Sequence, residues 1–139
     1  MRCPFGRPAV IEQPAYLDDG APFPTTYYLT CPHAVARVGE LEAAGGVDRY
    51  EALVAADAAA GAEYRAGAAR QHGLRRPAAR MADGGAALRL GIGGTSRDGA
   101  VRCLHAHAAF ALAQAGYGLG ERILREAEPL FPRGGCCTP

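Results

Sequence analysis

The sequence predicts an α+β fold, in which an N-terminal β-hairpin packs against a small bundle of about four helices. Two short segments near the N-terminus, 9–13 and 25–30, concentrate the β-branched, aromatic and apolar residues that are typical of strands. After Pro32 the apolar residues recur at helical spacing, and glycines separate the periodic segments. The length of 139 residues suits one hydrophobic core. We therefore expect a single domain over 1–132 and a flexible tail over 133–139.

The predicted hairpin has a long loop. Residues 25–30, Thr-Thr-Tyr-Tyr-Leu-Thr, form the clearer strand, and residues 9–13, Ala-Val-Ile-Glu-Gln, pair with it in the antiparallel direction. A proline- and glycine-rich segment connects the two strands. This pairing places Cys31, just past the second strand, near the turn that carries Cys3. Two cysteines that are remote in sequence are thus expected to be neighbours in space.

Four helices are expected after the hairpin. The first begins near Pro32, which suits the first turn of a helix, and it stops at the Gly45-Gly46 pair. The remaining segments follow in order: a helix over about 47–71, a flexible connection over 72–90 with one helical turn at 78–82, a helix from about Ala100 to Gly116, and a last helix over 120–128. The arginines of the connection, Arg75, Arg76 and Arg80, are expected to face solvent.

Composition excludes several classes of function. The net charge of +1 provides no basic surface for nucleic acid or an anionic membrane. No run of about 18 apolar residues is present, so no membrane span is expected. The N-terminus lacks the apolar core of a secretory signal, and a cytoplasmic location is the resulting expectation. In that compartment the five cysteines are expected to be free thiols or metal ligands rather than disulfides.

The segment 91–107 concentrates the groups that carry chemistry. A glycine-rich loop leads into a helix whose first turns carry Cys103, His105 and His107. At about 100° per residue, Cys103 and His107 share one face if the helix has begun by residue 103. If the helix begins later, Cys103 and His105 can converge from its start instead. A helix N-terminus also favours the thiolate, the form that binds metal or attacks an electrophile.

These groups predict a metal centre. The cysteines Cys3, Cys31 and Cys103 with His107 or His105 would make a four-ligand set suited to zinc, and the three thiolates alone would suit an iron–sulfur cluster. Whether the centre is structural or catalytic is open, and the chain lacks the C-x-x-C spacing of many zinc sites.

Two alternatives belong to other classes. The first is a thiol enzyme with Cys103 as its catalytic nucleophile and a nearby histidine as base. The second is a metal-free module that interacts with an unknown small molecule or protein, and the sequence gives no oligomeric state. If Cys103 has only a structural role, it is a small buried apolar residue. Cys136 and Cys137 are expected to be exposed in the tail and incidental.

The glycine-rich loop also suggests a phosphate site. Gly91-Ile-Gly-Gly94 with Thr95 and Ser96 before a helix has some features of a phosphate cradle. It matches neither G-x-x-x-x-G-K-[ST] nor G-x-G-x-x-G, and no clear strand precedes it. A loop and helix start that bind no ligand is the favoured interpretation.

The chain resembles the domain of unknown function 501 family of bacterial proteins. The pieces that carry the resemblance occur in family order: Cys3-Pro-Phe-Gly-Arg-Pro-Ala-Val10, the segment from Asp19 to Pro32, Leu41-Glu-Ala-Ala-Gly-Gly46 and Val101-Arg-Cys-Leu-His-Ala-His107. The resemblance implies a small cytoplasmic protein with no settled biochemical role. The chain departs from the family pattern at Arg102, where lysine is usual, and in the segment 94–99, which suggests a diverged paralogue.

Overall fold

The computed structural model describes residues 1–76 and 85–135 and confirms the α+β class. The helical turn expected at 78–82, Arg80 and the cysteine pair Cys136–Cys137 lie outside the described residues. Within them, the regular elements are β1 (Val10–Glu12), β2 (Tyr27–Leu29), α1 (Pro32–Ala43), α2 (Gly46–Ala56), α3 (Ala58–Arg75), a 3-10 helix (Ala86–Arg89), α4 (Leu104–Ala113) and α5 (Gly118–Glu126).

The two strands pair in the antiparallel direction, as the sequence predicts. Val10 lies opposite Leu29, and Glu12 lies opposite Tyr27. Each strand has three residues and is shorter than the segment expected from composition. Val10, Tyr27 and Leu29 face the core, whereas Ile11 and Tyr28 form an exposed cross-strand pair.

The described part of the chain has five α-helices rather than about four, because the helix expected over 47–71 is divided at Asp57. Asp57 has an extended backbone, and its side chain accepts a hydrogen bond from the backbone N–H of Ala60. This is the geometry of an N-cap, and it starts α3 as a separate helix. The prediction of one long helix through Asp57 is therefore wrong.

Helix α3 also continues past the expected end at residue 71 to Arg75, which is buried rather than solvated. Its guanidinium donates hydrogen bonds to the backbone carbonyls of Ala15, Phe23 and Pro24 in the hairpin loop. Burial lowers the pKa of Arg75. A single side chain thus ties the long loop of the hairpin to the end of α3.

Helix α4 occupies the centre of the fold. It packs against β1, β2, α1 and α5, and seven of its ten residues are buried. Four of the seven are alanines, so the neighbouring elements approach closely. No helix among residues 1–76 and 85–135 is both long and apolar enough to cross a lipid bilayer.

Close approach depends on glycine at defined places. A Cβ atom on Gly67 of α3 would lie 2.2 Å from Cε2 of Tyr117, whose ring is buried. Gly73, two turns along the same helix, has nothing within 4 Å of such an atom. The two glycines therefore separate the effect of packing from that of helix propensity.

We predict opposite effects of alanine at these two positions. Gly67→Ala is expected to lower the free energy of unfolding by about 1–3 kcal/mol, because the Tyr117 ring must move. Gly73→Ala is expected to raise it by up to about 1 kcal/mol through helix propensity. Urea denaturation followed by circular dichroism measures both. A stabilising Gly67→Ala variant would contradict this packing of α3 against Tyr117.

Candidate metal and thiol site

The start of α4 decides which residues meet. The helix begins at Leu104 rather than near Ala100, and Cys103 is its N-cap residue with an extended backbone. The sequence left two arrangements open, and the structure has the second of them, in which Cys103 and His105 converge at the helix start. His107 lies further along the helix and points elsewhere.

Helix α1 supplies a third group, Glu42. The ligand atoms of Glu42, Cys103 and His105 all lie within 4.8 Å of one another, and all three side chains are partly exposed. One carboxylate oxygen, Oε1, accepts a hydrogen bond from the backbone N–H of Leu104 at 2.6 Å. The same atom lies 3.2 Å from Nδ1 of His105. We call Glu42, Cys103 and His105 the ECH group.

The carboxylate of Glu42 stabilises the start of α4. The side chain of Cys103 makes no capping hydrogen bond, so the first turn of α4 has backbone N–H groups without a local partner. Glu42 satisfies one of them from another helix. A carboxylate is also favoured at a helix N-terminus by the helix dipole.

His105 is held from two sides. Its Nε2 lies 3.0 Å from the carbonyl oxygen of Val35, and its Nδ1 faces Glu42. The pKa of His105 is raised to about 9, and the largest cause is a hydrogen bond with Cys103. The Val35 carbonyl and the Glu42 carboxylate also raise this pKa, whereas partial burial lowers it. The surroundings of this ring therefore favour a positive charge at its position.

His107 has a structural environment. It is fully buried, and its Nδ1 lies 2.6 Å from the hydroxyl oxygen of Tyr117. Burial lowers the pKa of His107 to about 4, so the ring is neutral at pH 7. Its Nε2 has no hydrogen-bond partner among the described residues. His107 belongs to the core with Tyr64 and Tyr117, whose rings pack near it.

Cys3 and Cys31 are buried in the main hydrophobic core. The turn that carries Cys3 and the end of β2 meet at Pro8 and Ala9, since the side chain of Thr30 donates to the Pro8 carbonyl and the Thr30 N–H donates to the Ala9 carbonyl. Neither cysteine contributes an atom to the ECH group. Among the described residues, the four-ligand set expected from the sequence does not form a group with all ligand atoms within 4.8 Å.

The glycine-rich loop is closed on itself. The N–H of Gly91 donates to the Thr95 carbonyl, and the N–H of Gly94 donates to the Gly91 carbonyl. Because α4 begins ten residues after Gly94, the loop does not lead directly into the helix as a phosphate cradle would. Instead Gly93 approaches Cys103 closely, and a Cβ atom there would lie 3.8 Å from the Cβ of Cys103.

A cavity of about 270 Å³ lies beside the ECH group. Cys103 and His105 form part of its wall, and the rest of the described lining includes Tyr28, Leu29 and Val35. We call this cavity the Cys103 pocket. Larger cavities of about 550 and 490 Å³ lie at the C-terminal segment and between α2 and α5, but their described linings contain neither cysteine nor histidine.

Glu42 is not among the site residues predicted from the sequence. A signal for it exists, because Glu42 follows Val35 by seven residues and therefore lies on the same helical face. A carboxylate on the apolar face of an amphipathic helix needs a polar partner. The identity of that partner, the start of α4, depends on tertiary packing.

A family model described as protein of unknown function (DUF501) matches residues 1–125 of the chain. No curated protein and no solved structure matches it.

We predict that the hydroxyl of Tyr117 matters for stability and not for chemistry. Tyr117→Phe leaves both ring nitrogens of the buried His107 without a hydrogen bond, which should lower the free energy of unfolding by about 1–3 kcal/mol. Tyr28→Phe, at an exposed ring, is the matched control and should change it by less than about 0.5 kcal/mol. Equal effects of the two substitutions in urea denaturation would contradict this role of Tyr117.

Proposed function

Since the chain belongs to the DUF501 family, whose description names no activity, we propose a function from its own geometry: the ECH group binds one zinc ion. The observation that carries the proposal is the convergence of three kinds of zinc ligand, a carboxylate, a thiol and an imidazole, within 4.8 Å. The three come from two helices, α1 and the start of α4, that pack together in the fold.

The distances suit a tetrahedral ion. With bonds of about 2.0–2.3 Å, the ligand atoms of such a site lie about 3.3–3.8 Å apart. Oε1 of Glu42 and Nδ1 of His105 are already 3.2 Å apart. Because the ligand atoms already lie within 4.8 Å of one another, the group would need to contract by no more than about 1.5 Å to surround zinc.

The surroundings of His105 support the same assignment. A histidine that binds metal through one nitrogen usually donates its other N–H to a carbonyl or carboxylate, which sets the tautomer and the ring orientation. The Val35 carbonyl lies 3.0 Å from Nε2 and leaves Nδ1 for the ion. Zinc would replace the proton that the neighbours of this ring favour.

The donor set favours zinc over the other candidates. An iron–sulfur cluster is held by several thiolates, and the ECH group has one. Calcium and magnesium prefer oxygen ligands alone. One thiolate, one imidazole and one carboxylate are all common zinc ligands, and three protein ligands leave a fourth position open.

We predict that loss of one ligand weakens zinc binding strongly while the fold remains. Glu42→Gln keeps an oxygen that accepts the Leu104 N–H but removes the charge. Its zinc affinity should fall by about 100-fold or more, which exceeds the roughly 10–100-fold loss typical of removing a residue that only hydrogen-bonds to a metal ligand. Glu40→Gln is the matched control, because Glu40 is exposed on the same helix and pairs with Arg37. Competition with a chromophoric chelator measures both affinities.

Two further variants separate the ECH group from the ligand set expected from the sequence. Cys103→Ser should abolish tight binding, whereas Cys3→Ala should leave the affinity unchanged once the variant is shown to be folded. The reverse result would make Cys3 a ligand in place of Cys103 and would overturn the proposal. Less than about 0.2 equivalents of zinc in untagged protein prepared anaerobically and supplied with zinc would overturn the proposal.

A second function, thiol chemistry at Cys103, is favoured by the proximity of Cys103 and His105, whose sulfur and ring nitrogen lie within 4.8 Å of each other. In metal-free protein this pair has the elements of a cysteine nucleophile with a histidine partner, and Glu42 orients the histidine. Cys103 is partly exposed, while Cys3 and Cys31 are buried. The two functions use the same residues and differ in whether a metal ion occupies the group.

For this second function we predict that Cys103 is alkylated by iodoacetamide near neutral pH faster than Cys3 and Cys31. In His105→Asn the rate at Cys103 should fall by about tenfold or more, because the imidazole beside the nucleophile is lost. His33→Asn, which removes a histidine whose Nε2 lies 3.0 Å from the Pro129 carbonyl, is the matched control. Peptide mass spectrometry resolves the rate at each cysteine, and an unchanged rate in His105→Asn would exclude the pair.

A further inference from the structure

We infer that the ECH group and the Cys103 pocket together bind a small molecule that has an uncharged, apolar body and a single donor atom directed to the metal. This inference rests on the proposed zinc site. It adds that the centre binds a ligand rather than only holding two helices together.

The Cys103 pocket would give a ligand access to the fourth position of the ion. A tetrahedral ion held by three protein ligands keeps one position for water or a ligand. Cys103 and His105 line the pocket, whereas Glu42 is not part of its described lining and binds the Leu104 N–H. A ligand in the pocket would therefore lie next to two of the three ligands of the ion and could reach its open position.

Apart from Thr25 and Gly93, the rest of the described pocket wall is apolar or aromatic. It comes from β2 and from the neighbouring helices, through Tyr27, Tyr28, Leu29, Val35 and Ala106. The hydroxyl of Tyr27 already accepts a hydrogen bond from the side-chain amide of Gln114. Such walls suit an aliphatic or aromatic group, which gains free energy when it leaves water.

The charges of the site exclude ligands with a second charged group. Zinc with one carboxylate, one thiolate and a neutral imidazole has no net charge. The described lining contains no arginine, aspartate or glutamate, so a charged body would be desolvated without a partner. A donor such as a carbonyl, a thiolate or an azole nitrogen on an uncharged body meets these conditions.

The size of the cavity limits the ligand further. At about 270 Å³ it lies just below the range of about 300–1,000 Å³ that is typical of ligand pockets. It therefore suits a body the size of one aromatic ring or a short branched chain. A nucleotide or a peptide would be too large and too polar.

Cobalt(II) in place of zinc provides the test, because its visible absorption bands report the ligands of the ion. The probes are imidazole and 4-phenylimidazole, which present the same donor with and without an apolar ring. In full-length protein loaded with cobalt, 4-phenylimidazole is expected to bind about tenfold or more tightly than imidazole, since its ring is buried in the pocket.

Two variants locate the ring of the probe. Tyr28→Ala removes an exposed aromatic wall of the pocket and should reduce the preference for 4-phenylimidazole to less than about threefold, with imidazole binding unchanged. Phe5→Ala removes a similarly exposed ring that is not part of the described lining and should leave the preference intact.

The outcomes distinguish this inference from the proposed function. If cobalt binds but neither probe changes the spectrum, or both bind equally, the zinc site stands and the ligand pocket is wrong. The same follows if Tyr28→Ala leaves the preference unchanged. If cobalt does not bind at the ECH group, both proposals fail together.

Discussion

The burial of α4 is the constraint on which the rest of the structure depends. The helix is covered on several sides by β1, β2, α1 and α5, so its first turn is partly buried. Backbone N–H groups at a buried helix start need a partner, and the N-cap residue Cys103 supplies none through its side chain. The carboxylate of Glu42 fills this need from α1. A requirement of the backbone thereby brings an acidic group to the thiol and imidazole of α4.

The candidate site is a consequence of that contact. Glu42 must stay close to the Leu104 N–H, and at this position it also faces Nδ1 of His105. The Val35 carbonyl approaches the other ring nitrogen from the same helix as Glu42. The ring of His105 thus lies among a carbonyl oxygen, a carboxylate and a thiol. These groups favour a cation at the position of the ring. A proton on His105 meets this condition, and so does a zinc ion, because both compensate the same negative groups.

The sequence predicts the parts of this arrangement that depend on local patterns. The strands around Val10 and Tyr28 follow from residue type, and Pro32 marks the start of α1. Asp57 is a residue type that favours an N-cap. The alanines on both sides of it continue the helical pattern, however, so the pattern does not indicate the break between α2 and α3. Glu42 could be identified as a carboxylate on an apolar face, yet no local rule indicates that its partner is the start of a helix 62 residues away.

The first residue of α4 decides the roles of the two histidines. Had the helix begun near Ala100, Cys103 and His107 would share a face, and His105 would point away from the thiol. Because the helix begins at Leu104, the extended Cys103 turns toward His105 instead. His107 is then free to pack against Tyr117 in the core, where burial keeps its ring neutral. One histidine therefore belongs to the core and the other to the candidate site, and the Cys-x-His spacing brings the thiol and the imidazole together here because it lies at a helix start.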